Sequence, residues 1–210
     1  MLDNHGFDLW ADGYDASVNA SDEDNSYPFA GYKKMLNAIY GAVMARAPAS
    51  VLDIGIGTGT LATRLYEGGN AITGIDFSQK MLDAAQVKML DARLIAHDFS
   101  RGLPQALAGA SFDFIISTYA LHHLEDGQKV SLIKQLLGHL NEKGVIIIGD
   151  VGFPDRLSLE KCRADHGEDE WDDEEFYFVC DELRRALGDT FEISFTPFSF
   201  CAGVMMITAA

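Results

Sequence analysis

The sequence predicts an α/β fold: a seven-stranded, mostly parallel sheet with helices on both faces and a C-terminal antiparallel hairpin strand. Three observations carry this expectation. From residue 50 onward, short apolar runs alternate with stretches of helical periodicity, the signature of repeated strand–helix units. The run Val145-Ile146-Ile147-Ile148 is apolar at every position, as a central parallel strand covered on both faces requires. The last two apolar runs follow one another with only a short turn between them, so they must pair antiparallel.

The elements follow in order. Residues 15–27 are polar and acidic and read as a loop. Pro28 is placed to open a helix, along which Tyr32, Met35, Leu36, Ile39 and Val43 recur at helical spacing, and Pro48 ends it. The first strand covers about 50–54, and its helix, 59–68, stops at Gly68-Gly69. A second strand at 71–75 leads to a helix whose N-cap is Ser78. The third strand lies at about 92–96 and the fourth at Phe112–Ser117. Val130, Ile133, Leu136, Leu137 and Leu140 mark one face of a helix over about 127–140, before the fifth strand at 145–148. A helix near 176–187 precedes Phe191–Phe195 and, past Pro197, Phe200–Thr208, the hairpin at the sheet edge.

Composition excludes several partners. With 210 residues, of which 32 are acidic and 16 basic, the chain is sized for one domain and has a formal charge of −16. Holding a phosphate backbone needs clustered Lys and Arg, so no nucleic-acid partner is expected. No apolar run approaches the roughly 18 residues of a membrane span. Met1-Leu2-Asp3-Asn4-His5 has neither a basic nor an apolar leader region. Cys162, Cys180 and Cys201 form no C-x-x-C pair and suit a reducing compartment, so the expected location is cytoplasmic.

The most informative stretch is Val51-Leu52-Asp53-Ile54-Gly55-Ile56-Gly57-Thr58-Gly59. A strand running into alternating glycines and then a helix is a nucleotide-binding edge, because glycine lets the backbone approach a ligand. Asp53 narrows the choice. A dinucleotide would set its pyrophosphate at this helix N-terminus, where a carboxylate repels it. S-adenosylmethionine carries an ammonium and a sulfonium and no phosphate, so the same carboxylate attracts it. The spacing G-x-G-x-G also departs from the dinucleotide G-x-G-x-x-G.

This order of elements, with the glycine loop after the first strand, resembles the Class I S-adenosylmethionine-dependent methyltransferases over nearly the whole chain. Asp76, 23 residues after Asp53 in Ile75-Asp76-Phe77-Ser78, matches the acid that accepts both ribose hydroxyls. His97-Asp98-Phe99 resembles the adenine edge, where Asp98 accepts the exocyclic amine and Phe99 packs on the ring. The resemblance places Asp53 near the methionyl end, the backbone of Gly55, Gly57 and Gly59 beneath the ligand, and Phe77, Met81 and Ser117 beside it. Phe7-Asp8-Leu9-Trp10-Ala11-Asp12-Gly13-Tyr14-Asp15 resembles the F-D-x-W-A-x-x-Y-D opening of small bacterial members, whose first helix folds over the cofactor. Tyr14 would pack there on the methionyl part. Ser117–Leu124 resembles the S-T-Y-A-x-H-H-L segment of a bacterial subgroup. Ile56 departs from the small or polar residue of many members. One domain is thus expected over 1–210: an N-terminal lid and helix (1–48), a cofactor-binding core (49–150), and acceptor-side helices with the hairpin (151–210).

Methyl transfer is an in-line displacement that mainly requires an aligned nucleophile and exclusion of water. No metal is needed. His122 and His123 follow the fourth strand at the ligand-binding edge, where either could take a proton from the acceptor or serve structurally. An extended segment would point only one of them into the cleft. Asp150 and Phe153 could line the acceptor pocket, or Asp150 could cap the next helix. Cys162 and His166 are four apart, a metal-ligand spacing with no further ligands to join it. The acidic run Glu168–Glu175 reads as the lead-in to a helix or as part of a lid repelling anions, with Trp171 anchoring it. The function expected is methyl transfer to a small neutral or cationic molecule. A non-catalytic S-adenosylmethionine-binding sensor or regulatory module and an NAD-dependent oxidoreductase are the alternatives, and the oligomeric state is left open.

Overall fold

The computed structural model describes residues 26–166 and 171–209. Its elements are α1 (Tyr32–Met44), β1 (Ser50–Ile54), α2 (Thr60–Glu67), β2 (Ala71–Asp76), α3 (Gln79–Lys88) and β3 (Arg93–Ala96). β4 (Phe112–Thr118), α4 (Asp126–Leu137), β5 (Leu140–Phe153), α5 (Arg156–His166), β6 (Phe178–Val179), α6 (Cys180–Leu187), β7 (Phe191–Pro197) and β8 (Ala202–Ala209) follow.

The sheet order is β3-β2-β1-β4-β5-β8-β7, seven strands, with the short β6 pairing alongside β5. The pairs from β3 through β5 are all parallel, and β8 runs antiparallel to both β5 and β7. The reversed strand of the hairpin therefore lies inside the sheet, and β7 forms the edge. Side chains alternate between the two faces, as a pleated strand dictates. Val51, Ile116 and Ile147 face a cluster built on α1, α2 and α3, whereas Leu52, Ile115 and Ile146 face one built on α4 and α6.

The structure corrects several expectations. α1 begins at Tyr32, not Pro28, because Gly31 takes a left-handed conformation (φ 77°) and residues 27–31 make a turn. That turn sends Pro28 and Phe29 over the sheet edge, where they line a cavity. The expected helix near 176–187 starts only at Cys180, since Phe178 and Val179 pair with Gly152 and Phe153 of β5. β5 extends well beyond 145–148 at both ends. Ile56, the departure in the glycine loop, packs against Gly74, where an added Cβ would sit 2.4 Å from its Cδ1. Among the described residues no helix is long and apolar enough to cross a membrane.

Candidate functional site

β1 has β2 on one side and β4 on the other, so the strand order reverses there, and open α/β sheets take ligands in the crevice at that point. The crevice holds a cavity. One half is lined by Asp53, Gly55, Gly57, Asp76, Phe77, Met81 and Phe99, the other by Phe29, Tyr32, Tyr119, His122, His123 and Glu175.

The first half is a braced loop. Gly55, Gly57 and Gly59 all have positive φ, which the tight exit from β1 into α2 demands. Gly55 must also be glycine for space, since a Cβ there would lie 2.4 Å from that of Ala120 in the loop after β4. The Gly55 and Ile56 N–H groups donate to the Ile75 carbonyl at 2.8 and 3.0 Å. The carboxyl of Asp76 holds two neighbours, accepting from Gly57 N through Oδ2 and from Ser78 N through Oδ1, both at 2.9 Å. Ser78 caps α3 by accepting from Met81 N, so Asp76 is spared that duty.

Asp53 is 3% exposed, and its Oδ1 has no hydrogen-bond partner. Burial, with the nearby charge of Asp76, pushes its carboxyl up to about 8. A buried carboxyl oxygen left without a donor on a cavity wall is chemically suited to a cationic group. It also has a stability consequence. The native state binds the Asp53 proton more tightly than the unfolded chain, so this contribution is present at low pH and lost as pH rises from about 4 to about 8. Asp53→Asn should therefore raise the melting temperature of the ligand-free protein at pH 9, with the gain shrinking toward pH 4. Differential scanning calorimetry showing a pH-independent effect would contradict the buried, proton-holding carboxyl.

In the second half, Leu121–His123 form a 3-10 turn, so the expectation that only one histidine faces the cleft fails: both line the cavity, their ring centroids 4.1 Å apart. His122 is 5% exposed, with Nδ1 2.6 Å from Oδ1 of the fully buried Asp150. Asp150 also accepts from Leu121 N and Val151 N at 3.2 and 2.8 Å. It neither lines the cavity nor caps a helix; it fixes the His122 ring. Nε2 of His122 lies 3.5 Å from Glu175 Oε1, and His123 Nδ1 lies 3.9 Å from the same oxygen. The three side chains each bring one such atom within 4.8 Å of the others, so two rings and a carboxyl form one cluster on this wall. Burial alone would lower the His122 imidazole, but Asp150 and Glu175 outweigh it and the net shift is upward. His123 is driven down to about 3 by burial and by the charge of His122, so it is a neutral ring. Phe29, Tyr32 and Tyr119 close this side, with centroids 4.8 Å (Phe29–Tyr119) and 5.4 Å (Tyr32–Tyr119) apart.

Of the described residues that the resemblance assigned to the cofactor, three lie off the cavity wall, and Asp150, Phe153, Cys162 and His166 lie off it as well. Gly59 is the N-cap of α2. Asp98 caps the turn Phe99–Arg101, accepting from Ser100 N at 3.0 Å and pairing with Arg101 at 3.1 Å. Ser117 is 2% exposed and donates from Oγ to the Ile54 carbonyl at 2.8 Å, tying β4 to β1. Tyr14 lies outside the described residues. Phe153 packs on Trp171. His166 Nδ1 sits 2.8 Å from the Cys162 carbonyl and 3.8 Å from its sulfur, a contact within one turn of α5. Sequence reasoning missed Glu175 and the two aromatics before and at the start of α1. The signal for Glu175 was its place as the last acid before Phe176-Tyr177-Phe178, an aromatic run whose Tyr177 and Phe178 are buried and draw it inward.

A family model described as a methyltransferase domain matches residues 51–144. An uncharacterized methyltransferase of a Geobacillus species is 34% identical over 188 residues, covering 89% of this chain and 83% of that protein. Another, of Geobacillus thermodenitrificans, is 36% identical over 197 residues, covering 90% and 88%. Among solved structures, the DhpI–SAH complex superposes with a TM-score of 0.70 at 16% identity, covering 99% of this chain and 95% of that one. Magnesium protoporphyrin IX methyltransferase from Synechocystis with bound SAH gives a TM-score of 0.68 at 20% identity, covering 87% and 85%.

Proposed function

The chain belongs to the Class I S-adenosylmethionine-dependent methyltransferases, and on that premise we propose that it methylates a small neutral or cationic molecule seated over the carboxyl ends of β4 and β5. Membership sets aside the oxidoreductase and the non-catalytic readings. The observation that carries the acceptor reading is His122, held by Asp150 behind it and lining the same cavity as Asp53 and Asp76.

Asp53, Asp76, Phe77, Met81, Phe99 and the backbone of Gly55 and Gly57 would hold S-adenosylmethionine, with Asp53 facing its ammonium. Tyr14, Gly59, Asp98 and Ser117 are further candidates, Gly59 and Ser117 acting through the loop and strand that they hold. When bound, the cofactor supplies an electrophilic methyl on a sulfonium. His122 takes the acceptor's proton at Nε2, while Asp150 accepts from Nδ1–H and so fixes the tautomer that leaves Nε2 unprotonated. His123, a neutral ring beside it, helps shape the acceptor seat. Phe29, Tyr32 and Tyr119 exclude water and align the nucleophile. No Lys or Arg lines the described cavity wall, which supports an acceptor without an anionic head. Glu175 and Pro28 also border a more open cavity with Tyr27, Asp172 and Phe200, a route for the acceptor from outside. The chemistry calls for no metal, no nucleic acid and no membrane.

Methyl-labelled S-adenosylmethionine incubated with the protein and a bacterial metabolite extract should deposit label in a molecule smaller than about 1 kDa that is retained on cation exchange or on neither resin. Label confined to RNA, protein or strongly anionic metabolites would overturn the acceptor assignment.

A further inference from the structure

Lys129 lies on α4 with 2% of its surface exposed, away from the cavity wall. Its Nζ donates to Asp126 Oδ1 at 3.0 Å and to the backbone carbonyl of Phe176, and it sits 4.8 Å from the Phe178 ring centroid. Burying an ammonium is costly, and Asp126, its acidic partner, is 68% exposed on the side chain. An apolar side chain would fill this place beside Phe178, Val179 and Leu183 at less cost. What only a donor can do here is hold the Phe176 carbonyl.

That carbonyl matters because of its neighbours. The N–H of Phe176 donates to the His122 carbonyl at 2.8 Å, so residue 176 is gripped from both sides. Glu175 precedes it, with Oε1 3.5 Å from His122 Nε2 and Oε2 accepting from Tyr177 at 2.8 Å. Phe178 then joins β5 through the pairing with Gly152. A chain of contacts thus runs from α4 to the side of the His122 ring that faces the cavity.

We propose that Lys129 is a positioning residue for methyl transfer, anchoring the Phe176 carbonyl so that Glu175 stays against His122. This rests on the reading of His122 as the base. The charged and titratable groups that face the imidazole are Asp150 on β5, Glu175 and Tyr177 on the segment before β6, His123 on its own turn, and Lys129 from α4.

The test uses the full chain and NMR titration of the His122 imidazole, which needs no acceptor. Two effects of Lys129→Met have opposite signs. Loss of the ammonium alone would raise the His122 pKa, whereas release of Glu175 lowers it. The expected result is a fall of about 1 unit, the effect of withdrawing a nearby opposite charge. Glu175→Gln should give a similar fall, and Lys129→Met added to Glu175→Gln should produce no further fall. Lys129→Arg keeps the donor, and an adjoining cavity bordered by Val130 and Ala186 gives it room, so it should restore most of the wild-type pKa. Affinity for S-adenosylhomocysteine should stay within about twofold in each variant, which certifies the fold. A pKa that rises or stays in place in Lys129→Met, or an equal further fall in the double variant, would overturn the proposal. If Lys129→Met does not fold, Lys129→Gln is read by the same criteria. Failure of the base assignment itself would show separately, as an unimpaired rate in His122→Ala.

Discussion

His122→Ala should lower the rate of methyl transfer by about 10²–10⁴-fold, the usual worth of a positioned general base, while affinity for S-adenosylhomocysteine stays within about twofold. The split follows from the layout of the cavity, in which His122 sits among the residues after β4 and the Asp53–Asp76 half lies across from it. Single-turnover kinetics with the acceptor identified by label transfer would measure the rate, and calorimetry the affinity. Should the variant keep more than about a third of the rate, positioning by the aromatic wall would be sufficient and no base would be needed.

The pH dependence separates the roles further. A base must be unprotonated to act, and Asp150 and Glu175 raise the His122 imidazole above its ordinary value, so the rate should climb with pH through a midpoint above about 6.5. Asp150→Asn withdraws the larger of these two raising influences. The rising limb should then move to lower pH even as the maximal rate falls, because the amide no longer enforces the Nδ1–H tautomer. An unchanged midpoint would mean that another group controls the profile.

How much of this was legible in the sequence depended on the range of the interactions involved. The edge from Val51 to Gly59 is local: an apolar strand, a set of positive-φ glycines and a helix start appear within nine residues, and the structure keeps them together. Ser78 is likewise recognised as a cap because its partner, Met81 N, is three residues away. α5 left no comparable mark as an element, since only Leu159 and Cys162 of its eleven residues are buried and Leu157 is 75% exposed. β6 is two residues long and exists only because Gly152 and Phe153 are beside it. The site divides the same way. Asp150 and His122 are 28 residues apart and Glu175 is further still, so their convergence is set by the order of β4 and β5 and by the Lys129 anchor. Both histidines face the cavity because residues 121–123 turn in a 3-10 helix, and alternation in an extended strand was the wrong premise. Asp98 and Ser117 show the converse, a polar residue at a binding edge with an oxygen engaged by the chain's own backbone, a use that spacing does not reveal.

Asp76→Ala should weaken S-adenosylhomocysteine binding by about 1.5–3 kcal/mol, roughly 10- to 150-fold, the worth of hydrogen bonds to a charged group. Part of that loss has a second source. The carboxyl of Asp76 also braces Gly57 N and Ser78 N, so its removal loosens the glycine loop as well as any ligand contact. A ligand lacking both ribose hydroxyls separates the two. If Asp76 accepts from the diol, the penalty of Asp76→Ala should largely vanish for 2′,3′-dideoxy-S-adenosylhomocysteine, whose own affinity for the wild type is already reduced. If the penalty is the same for both ligands, Asp76 acts only through the loop. Each carboxyl oxygen can accept more than one hydrogen bond, so bracing the loop leaves capacity for the diol. The close packing around the loop, with Gly55 against Ala120 and Ile56 against Gly74, limits how far it loosens when one of its braces is removed. Calorimetry on the wild type and Asp76→Ala with both ligands completes the cycle, and unchanged affinity for the natural ligand would remove Asp76 from the site.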